Sequence, residues 1–456
     1  MGEVRSENKM GVMPVKRLIV SMSLPMMVSM LVQALYNVVD SIFVSRISEN
    51  ALTAVTLAFP MQNFMIAVAA GTGVGINALL SRSLGEKRYD RADQAACTGI
   101  LLNIIHYFIF LLIGLFFTGP FIRSQTSDPE IIRYGETYLG IICILSIGVF
   151  FQITMERLLQ STGRTLYSMI SQSTGALINI ILDPLLIFGV GPFPELGVAG
   201  AAYATIFGQV TATGIGIYLN LKKNEDIHLS FKKILIPEKT AVLEIYEVGI
   251  PTVLMMSIGS VMTYMMNRIL IAFSNTAAAV FGVYFKLQSF VFMPVFGLNN
   301  GVIPVLAYNY GAKNKDRIRQ ALTFTLLLAL SIMLAGALVF EAIPGVLLDL
   351  FAASEEMKTI GIPALRIIAL SFPVAAVCIA MGSVFQAFSR SIYSLIVSVG
   401  RQLVALIPTA WLLARTGVLS NVWWAFPIAE VMSIILSGLL FVKTYRELVS
   451  PLESDT

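Results

Sequence analysis

Charged residues are scarce in this chain: Asp, Glu, Lys and Arg make up 13% of its 456 residues, while 56% are hydrophobic and the mean hydropathy is +0.79. Soluble domains carry about 25% charged residues. A soluble globule of this length could not bury so much apolar surface, whereas apolar runs of about 20 residues are typical of transmembrane helices. We therefore expect an all-α polytopic membrane protein, in which a net charge of +4 does not indicate a nucleic-acid partner.

Cysteine and histidine are also rare, with three and two residues, and the cysteines Cys97, Cys143 and Cys378 stand alone. Without a CxxC or a Cys/His cluster, the sequence gives no indication of a structural zinc site or a disulfide framework. Walker A, HExxH and GxSxG motifs are missing, and the glycines of 71–75 lie within an apolar stretch with no preceding strand. We expect no cofactor and no enzymatic activity. The first apolar stretch is too long for a cleavable signal peptide, so we expect it to be retained.

An internal repeat is the strongest feature present: the second half of the chain repeats the first at a fixed offset of 226 residues. Gly71 and Gly75 align with Gly297 and Gly301, and these small-xxx-small pairs favour close helix packing. Further aligned pairs are Gly85 and Gly311, Lys87 and Lys313, Asp90 and Asp316, Arg91 and Arg317, Gln160 and Gln386, and Arg164 and Arg390. Duplicated membrane proteins are typically secondary transporters with a site between the repeats.

Hydropathy predicts twelve transmembrane helices in two six-helix lobes. The N-lobe covers 1–221, a linker covers 222–242, and the C-lobe covers 243–456. The predicted spans are 17–46, 51–81, 94–119, 131–160, 165–188, 196–221, 243–272, 276–309, 317–341, 360–388, 392–414 and 421–444. Because each half has an even number of spans, the two halves have the same orientation and form a parallel repeat.

Lysine and arginine concentrate on one side of this predicted topology. That side carries both termini and the linker, which includes Lys222, Lys223, Lys232, Lys233 and Lys239. The positive-inside rule places such segments in the cytoplasm. We therefore expect a multi-pass protein of the plasma membrane with both termini cytoplasmic.

A polar stripe runs along the first span, where Gln33, Tyr36, Asn37 and Asp40 occur at i, i+3, i+4 and i+7. This spacing places all four on one helix face. An ionisable residue within a membrane span is costly unless it is paired or hydrated, and it is a functional candidate by default. Asp40 therefore predicts an aqueous cavity or a polar partner.

The fifth span carries a second acid, Asp183, one turn after Asn179 and directly before Pro184. Proline at this position frees a backbone carbonyl, which can coordinate a cation where it lines a cavity. The repeat does not duplicate these residues: Asp40, Asn179 and Asp183 align with Met266, Ala405 and Thr409. A duplicated scaffold with unduplicated acids indicates a specialised site in the first half, although two separately satisfied polar residues are the alternative.

The second half offers cations instead, Arg268 and Lys286. Lys286 lies about ten residues into its span, so we expect it either to pair with an acid across the cleft or to face water. Met255 and Met256 suit a surface that binds many shapes, with ordinary packing as the alternative. We interpret Glu156, Arg157, Arg366 and Arg401 as structural or interfacial. The predicted substrate cavity comprises Gln33, Tyr36, Asn37, Gln62, Met255, Met256, Arg268, Lys286 and Gln288.

Several motifs resemble the MATE (multidrug and toxic compound extrusion) family across both lobes. They are Leu24-Pro25, Tyr36-Asn37-x-x-Asp40-Ser41, Asn179-x-x-x-Asp183-Pro184 and Gly197-x-x-Gly200-Ala201-Ala202. The resemblance implies a twelve-helix antiporter that exports organic cations or amphipathic toxicants, driven by inward H⁺ or Na⁺. Other members carry acids in the middle of spans seven and ten, which this chain lacks, so it resembles the DinF/MepA-type branch.

By the same resemblance, Asp40, Asn179, Asp183 and Tyr138 form the ion-coupling site, which could hold Na⁺ at Asp40, Asn179 and Asp183, and Pro25 bends the first helix. A hydroxyl from the sixth span is left open, with Ala201, Ala202 and Thr205 at the relevant positions. The expected partners are small-molecule drugs or organic cations and membrane lipid, and the family suggests a monomer.

Three other functions compete with this one. A flippase for lipids or lipid-linked oligosaccharides has a related architecture, and Arg268 and Lys286 are compatible with it. An intramembrane aspartyl protease would need a GxGD-type motif, which is missing. A channel accounts poorly for a two-lobe repeat with a one-sided acid cluster.

Overall fold

Long helices dominate the computed structural model, which describes residues 7–351 and 353–452. Nine of them are long and apolar enough to cross a membrane, and two bent pairs raise the number to eleven. The twelfth, Val198–Lys223, is rich in glycine, alanine and threonine and is less apolar. We name them α1 (Val15–Ser45), α2 (Glu49–Gly85), α3 (Tyr89–Phe116), α4 (Pro129–Ile144 with Ile147–Ser161), α5 (Thr165–Phe188), α6 (Val198–Lys223), α7 (Lys239–Ile271), α8 (Asn275–Gly311), α9 (Lys315–Ala342), α10 (Glu355–Ala369 with Phe372–Ala387), α11 (Ser391–Ala414) and α12 (Leu419–Val449). Short helices Lys9–Val12, Thr118–Arg123, Phe231–Leu235 and Pro344–Asp349 lie between them.

Two of the predicted spans, 131–160 and 360–388, are bent helices. The halves of α4 meet at 46° and those of α10 at 47°. In α10, Pro373 follows the break, and its ring cannot continue the preceding helix. The break in α4 has no proline and occupies the matching place in the first half.

The repeat extends to the local backbone. Helices α2 and α8 have bounds that differ by 226 residues, as do α3 and α9. The Ser48 side chain accepts from the N–H of Ala51, and Ser274 does the same for Ala277. Lys87 and Lys313 both adopt φ of 58° in the turns that follow α2 and α8. These matching caps and turns confirm the parallel repeat.

Glycines bring the two halves into direct backbone contact. A Cβ on Gly75 of α2 would lie 2.2 Å from the carbonyl oxygen of Ile245 in α7, and one on Gly301 of α8 would lie 2.7 Å from the Cα of Ser23 in α1. At the ends of α2 and α8, a Cβ on Gly85 would lie 1.9 Å from the carbonyl oxygen of Tyr308. Since no side chain larger than hydrogen fits, these positions set the spacing between the halves.

The contact between the halves is confined to one end of the molecule, which we call the linker end because residues 224–238 lie there. From Gly71 to Gly85 every residue of α2 except Arg82 is buried, whereas Phe59, Pro60 and Phe64 nearer the opposite end are exposed. Helix α8 shows the same gradient. A cleft between the halves therefore opens away from the linker end.

Ion pairs reinforce the linker end. Glu244 of α7 accepts from both Arg82 of α2 and Arg91 of α3. Lys233, in the short helix of the linker, pairs with Asp90 at 2.6 Å. These contacts attach the linker and the beginning of α7 to the first half.

Candidate functional site

The two acids of the first half meet inside it. The carboxyl groups of Asp40 (α1) and Asp183 (α5) are within hydrogen-bonding reach of each other. Asp183 is fully buried. The Oδ1 atoms of both residues are buried and have no hydrogen-bond partner within the described residues. Orphaned carboxylate oxygens are costly in an apolar interior, and a bound proton or small cation would satisfy them.

Helical periodicity explains why four residues reach this point. Helix α1 packs along α5, and Tyr36 and Asp40 lie one turn apart on α1, as Asn179 and Asp183 do on α5. Asn179 is 2% exposed. The sequence-predicted residues Asp40, Asn179 and Asp183 are thus brought together by the packing of two helices.

The sixth helix contributes the hydroxyl that the sequence left open, and it comes from Thr205. With its amide nitrogen toward Asp183, Asn179 donates to Asp183 Oδ2 at 3.3 Å and accepts from the N–H and hydroxyl of Thr205 at 3.0 and 3.2 Å. The Thr205 hydroxyl also contacts the Tyr36 hydroxyl. Sequence reasoning could have found it, because the alternatives Ala201 and Ala202 have no hydroxyl.

Tyr138 and Gln62 form a hydrogen-bonded pair near the two acids. Tyr138, on the first half of α4, is buried, and its hydroxyl donates to Gln62 Oε1 of α2 at 3.4 Å. Asp40 and Asp183 both lie close enough to influence Tyr138 electrostatically. Tyr138 therefore lies near the acid pair, and Gln62 is joined to Tyr138.

The rest of the predicted stripe on α1 divides in two. Gln33 Oε1 accepts from Gln172 Nε2 of α5 at 2.7 Å, on the same helix interface as Asp40. Asn37 is exposed. The interface with α5 therefore includes Gln33, Tyr36 and Asp40, while Asn37 lies at its edge. Pro25 is buried in α1, which runs unbroken from Val15 to Ser45.

The predicted residues of the second half do not join the acid pair. Arg268, Lys286 and Met256 are exposed, and Met255 is half-buried. Lys286 Nζ lies 5.9 Å from the ring centroid of Phe351, and no acid within the described residues forms an ion pair with it. Gln288 accepts from the hydroxyl of buried Tyr284 at 2.7 Å.

Sequence reasoning missed a different charged pair in the second half. Arg401 Nη1 lies 2.9 Å from Glu430 Oε1, which joins α11 to α12. Glu430 is 7% exposed, and Arg401 lies in a π-helical stretch, Gly400–Leu406. The acid in the predicted span 421–444 was the available signal. The interpretation of Arg401 as structural agrees with this pairing.

The oxygen atoms around Asp40 and Asp183 limit what the site can bind. Within the described residues there is no group of three or more His, Cys, Asp or Glu side chains that could hold a metal ion. The available donors are two carboxylates, one amide and hydroxyl groups, which are oxygen ligands of the kind that hard cations prefer. The arrangement can hold a proton between the carboxylates or a small hard cation among these oxygens.

Comparisons with known proteins agree on one family. A family model described as MatE matches residues 25–185 and again 251–412. The chain is 27% identical over 417 residues to the multidrug export protein MepA of Staphylococcus haemolyticus, covering 91% of this chain and 90% of the relative. It is 26% identical over 452 residues to a FAD transporter of Shewanella oneidensis, covering 97% of each.

A solved structure extends the likeness to the whole fold. It is described as the outward-facing conformation of a multidrug resistance MATE family transporter of the MOP superfamily, and it superposes with a TM-score of 0.91. The identity is 26%, over 98% of this chain and 99% of that one. The double match of the family model coincides with the two halves described above.

Proposed function

Because this chain belongs to the MatE family of membrane transporters, we propose that it is a secondary active antiporter that exports organic cations and amphipathic toxicants in exchange for H⁺ or Na⁺. One observation carries the proposal: Asp40 and Asp183 face each other in a buried site with one orphaned oxygen each. Two adjacent carboxylates repel each other when both are ionised. Such a pair binds a cation readily and releases it when the surroundings change.

In the proposed cycle, the cleft open away from the linker end receives the coupling ion. Binding of H⁺ or Na⁺ at Asp40 and Asp183 neutralises the pair and weakens its attraction for a cationic drug, which leaves. The neutralised lobe then permits the cleft to open at the linker end. Loss of the ion there restores the negative charge, which attracts the next drug molecule.

The membrane potential drives this exchange where one more positive charge enters with the coupling ions than leaves with the drug. One elementary charge that crosses 100 mV supplies about 2.3 kcal/mol. Since about 1.4 kcal/mol corresponds to a factor of ten, this energy supports roughly 50-fold accumulation. We further propose that the linker end and both termini face the cytoplasm, that the protein is a monomer of the plasma membrane, and that Pro25 is a bending point of α1.

Ethidium efflux from proteoliposomes tests the proposal, with H⁺ and Na⁺ gradients imposed separately. Efflux should follow one gradient and disappear in Asp40→Asn. The matched control is Asp90→Asn, which neutralises an exposed acid at the linker end and should leave efflux intact. Full gradient-driven efflux by Asp40→Asn would refute the assignment of the ion site.

An anionic or lipid-linked cargo is the second candidate function. It is favoured by the exposed cations Arg268 and Lys286 of the second half. One relative is itself described as a FAD transporter. The same vesicles, loaded with FAD or with a lipid-linked oligosaccharide in place of ethidium, separate these cargoes: transport of either that is lost in a Lys286→Gln variant would favour the alternative.

A further inference from the structure

A groove on the flank of the molecule is not used by the proposed transport cycle. It lies near the linker end between α1, α5 and α9 and measures about 560 Å³, within the range of about 300–1,000 Å³ that is typical of ligand sites. Its lining is apolar apart from two cations and one serine: Lys16, Arg17, Val20, Ser21, Leu24, Pro25, Leu166 and Phe324.

The apolar part of the groove is open to the surroundings of the molecule. Val20 is 43% exposed, and Leu24 and Leu166 are more than half exposed. These residues belong to membrane-spanning helices. In the bilayer, lipid acyl chains therefore contact this surface.

The charged part of the groove lies at one end of it. Lys16 and Arg17 are adjacent and exposed in the first turn of α1. Within residues 7–351 and 353–452 neither forms an ion pair with an acid. Two uncompensated cations at the membrane boundary, above an apolar groove, complement the anionic headgroup and acyl chain of a phospholipid.

The repeat supplies an internal comparison, because the residues at the corresponding place in the second half differ. Lys16, Arg17 and Val20 align with Val242, Leu243 and Tyr246. The Tyr246 hydroxyl lies 2.9 Å from His106 Nε2, so its side chain bridges α7 and α3, where Val20 leaves the gap between α1 and α9 open. The pair of cations is thus particular to the first site.

We propose that this groove binds one phospholipid with an anionic headgroup, drawn from the leaflet at the linker end. The headgroup phosphate contacts Lys16 and Arg17, and an acyl chain lies along Val20, Leu24 and Phe324. Helices α1 and α5 belong to the first half and α9 to the second, so the lipid links the two halves. It therefore stabilises the conformation in which the linker end is closed.

Native mass spectrometry of the delipidated protein in detergent tests the proposal, with phosphatidylglycerol and phosphatidylcholine of identical acyl chains. We expect one bound phosphatidylglycerol in clear preference to phosphatidylcholine. Since each basic residue near an anionic lipid contributes on the order of fivefold in affinity, the preference should be at least about tenfold and should be lost in Lys16→Gln/Arg17→Gln.

Two further variants keep the test decisive even if that double variant folds poorly. Val20→Trp fills the groove and should abolish binding of both lipids while leaving the cations in place. Lys222→Gln/Lys223→Gln removes two adjacent exposed cations at the end of α6 and should retain the preference. Equal binding of both lipids to the wild type, or an equal loss in the Lys222/Lys223 control, would overturn the proposal. The readout is independent of transport, so its outcome does not depend on the antiport cycle.

Discussion

The two halves of this molecule have matching helix bounds but differ in the charged residues that are buried against their fifth helices. In the first half, Gly175 of α5 lies against the backbone of Gly208 in α6, and the acid site is one to two turns away. In the second half, the residue aligned with Gly175 is Arg401, which pairs with Glu430. The first half places two acids together, whereas the second half pairs an acid with a base.

This difference indicates that the proposed movement of the two halves and the proposed binding of the coupling ion have different structural requirements. Two halves that turn against each other need matching packing surfaces, and the glycines at matched positions provide them. Ion coupling needs one site whose charge changes, and a second copy would change the number of ions carried. A neutral Arg–Glu pair has no such excess charge and keeps the second half electrostatically constant.

The largest expected effect on transport comes from removing an acid of the first half. Asp183→Asn should reduce gradient-driven ethidium efflux to the level of empty vesicles, because it removes a carboxylate that takes up the ion. Glu430→Gln, the matched change in the second half, should leave the coupling to the ion gradient intact. If both variants lost gradient-driven efflux to the same extent, ion coupling would not be confined to the first half as proposed.

Breaking the ion pair of the second half should mainly affect stability. Arg401→Met leaves Glu430 buried and unpaired, and loss of one partner of a buried pair costs about 3–5 kcal/mol. Unfolding of the purified protein in detergent would measure the loss. The double variant Arg401→Met/Glu430→Met should recover most of it, and a double variant as unstable as the single one would contradict this account.

Overpacking at the interface between the halves should have an intermediate effect. In Gly75→Ala the new methyl group would meet the backbone of Ile245, and such strain typically costs about 1–3 kcal/mol. Gly140→Ala is the control, because nothing lies within 4 Å of the place that its new methyl group would occupy. If thermal unfolding shows the two variants to be equally stable, the close contact is not important for stability.

The smallest effect is expected at the edge of the ion site. Thr205→Val removes one hydroxyl from the network around Asn179, and since a hydrogen bond contributes about 1 kcal/mol, ion affinity should fall about fivefold. The dependence of efflux on ion concentration would measure this. Thr205→Ser should restore the affinity. If the valine variant shows an unchanged dependence on ion concentration, the Thr205 hydroxyl does not contribute to ion binding.

The sequence was sufficient to predict the membrane helices, because apolar runs are visible in neighbouring residues. The correspondence between the two halves could also be predicted, because the 226-residue repeat is visible in the sequence itself. The break in α4 has no proline to signal it, and the prediction missed it. The meeting of Asp40 and Asp183 could be inferred from motif and helix face. An acid within the predicted span 421–444 marked Glu430 as a candidate, but its partner Arg401 lies 29 residues earlier on another helix, and no local pattern joins the two.

The contact at Gly85 has a mechanical consequence. Helices α2 and α8 each have 37 residues and are therefore about 55 Å long, and they touch backbone to backbone near one tip. If each helix rotates about the end that touches, a rotation of about ten degrees displaces its far end by about 10 Å. A rotation about the contact at Gly85 therefore moves the far ends of α2 and α8 much more than the ends that touch.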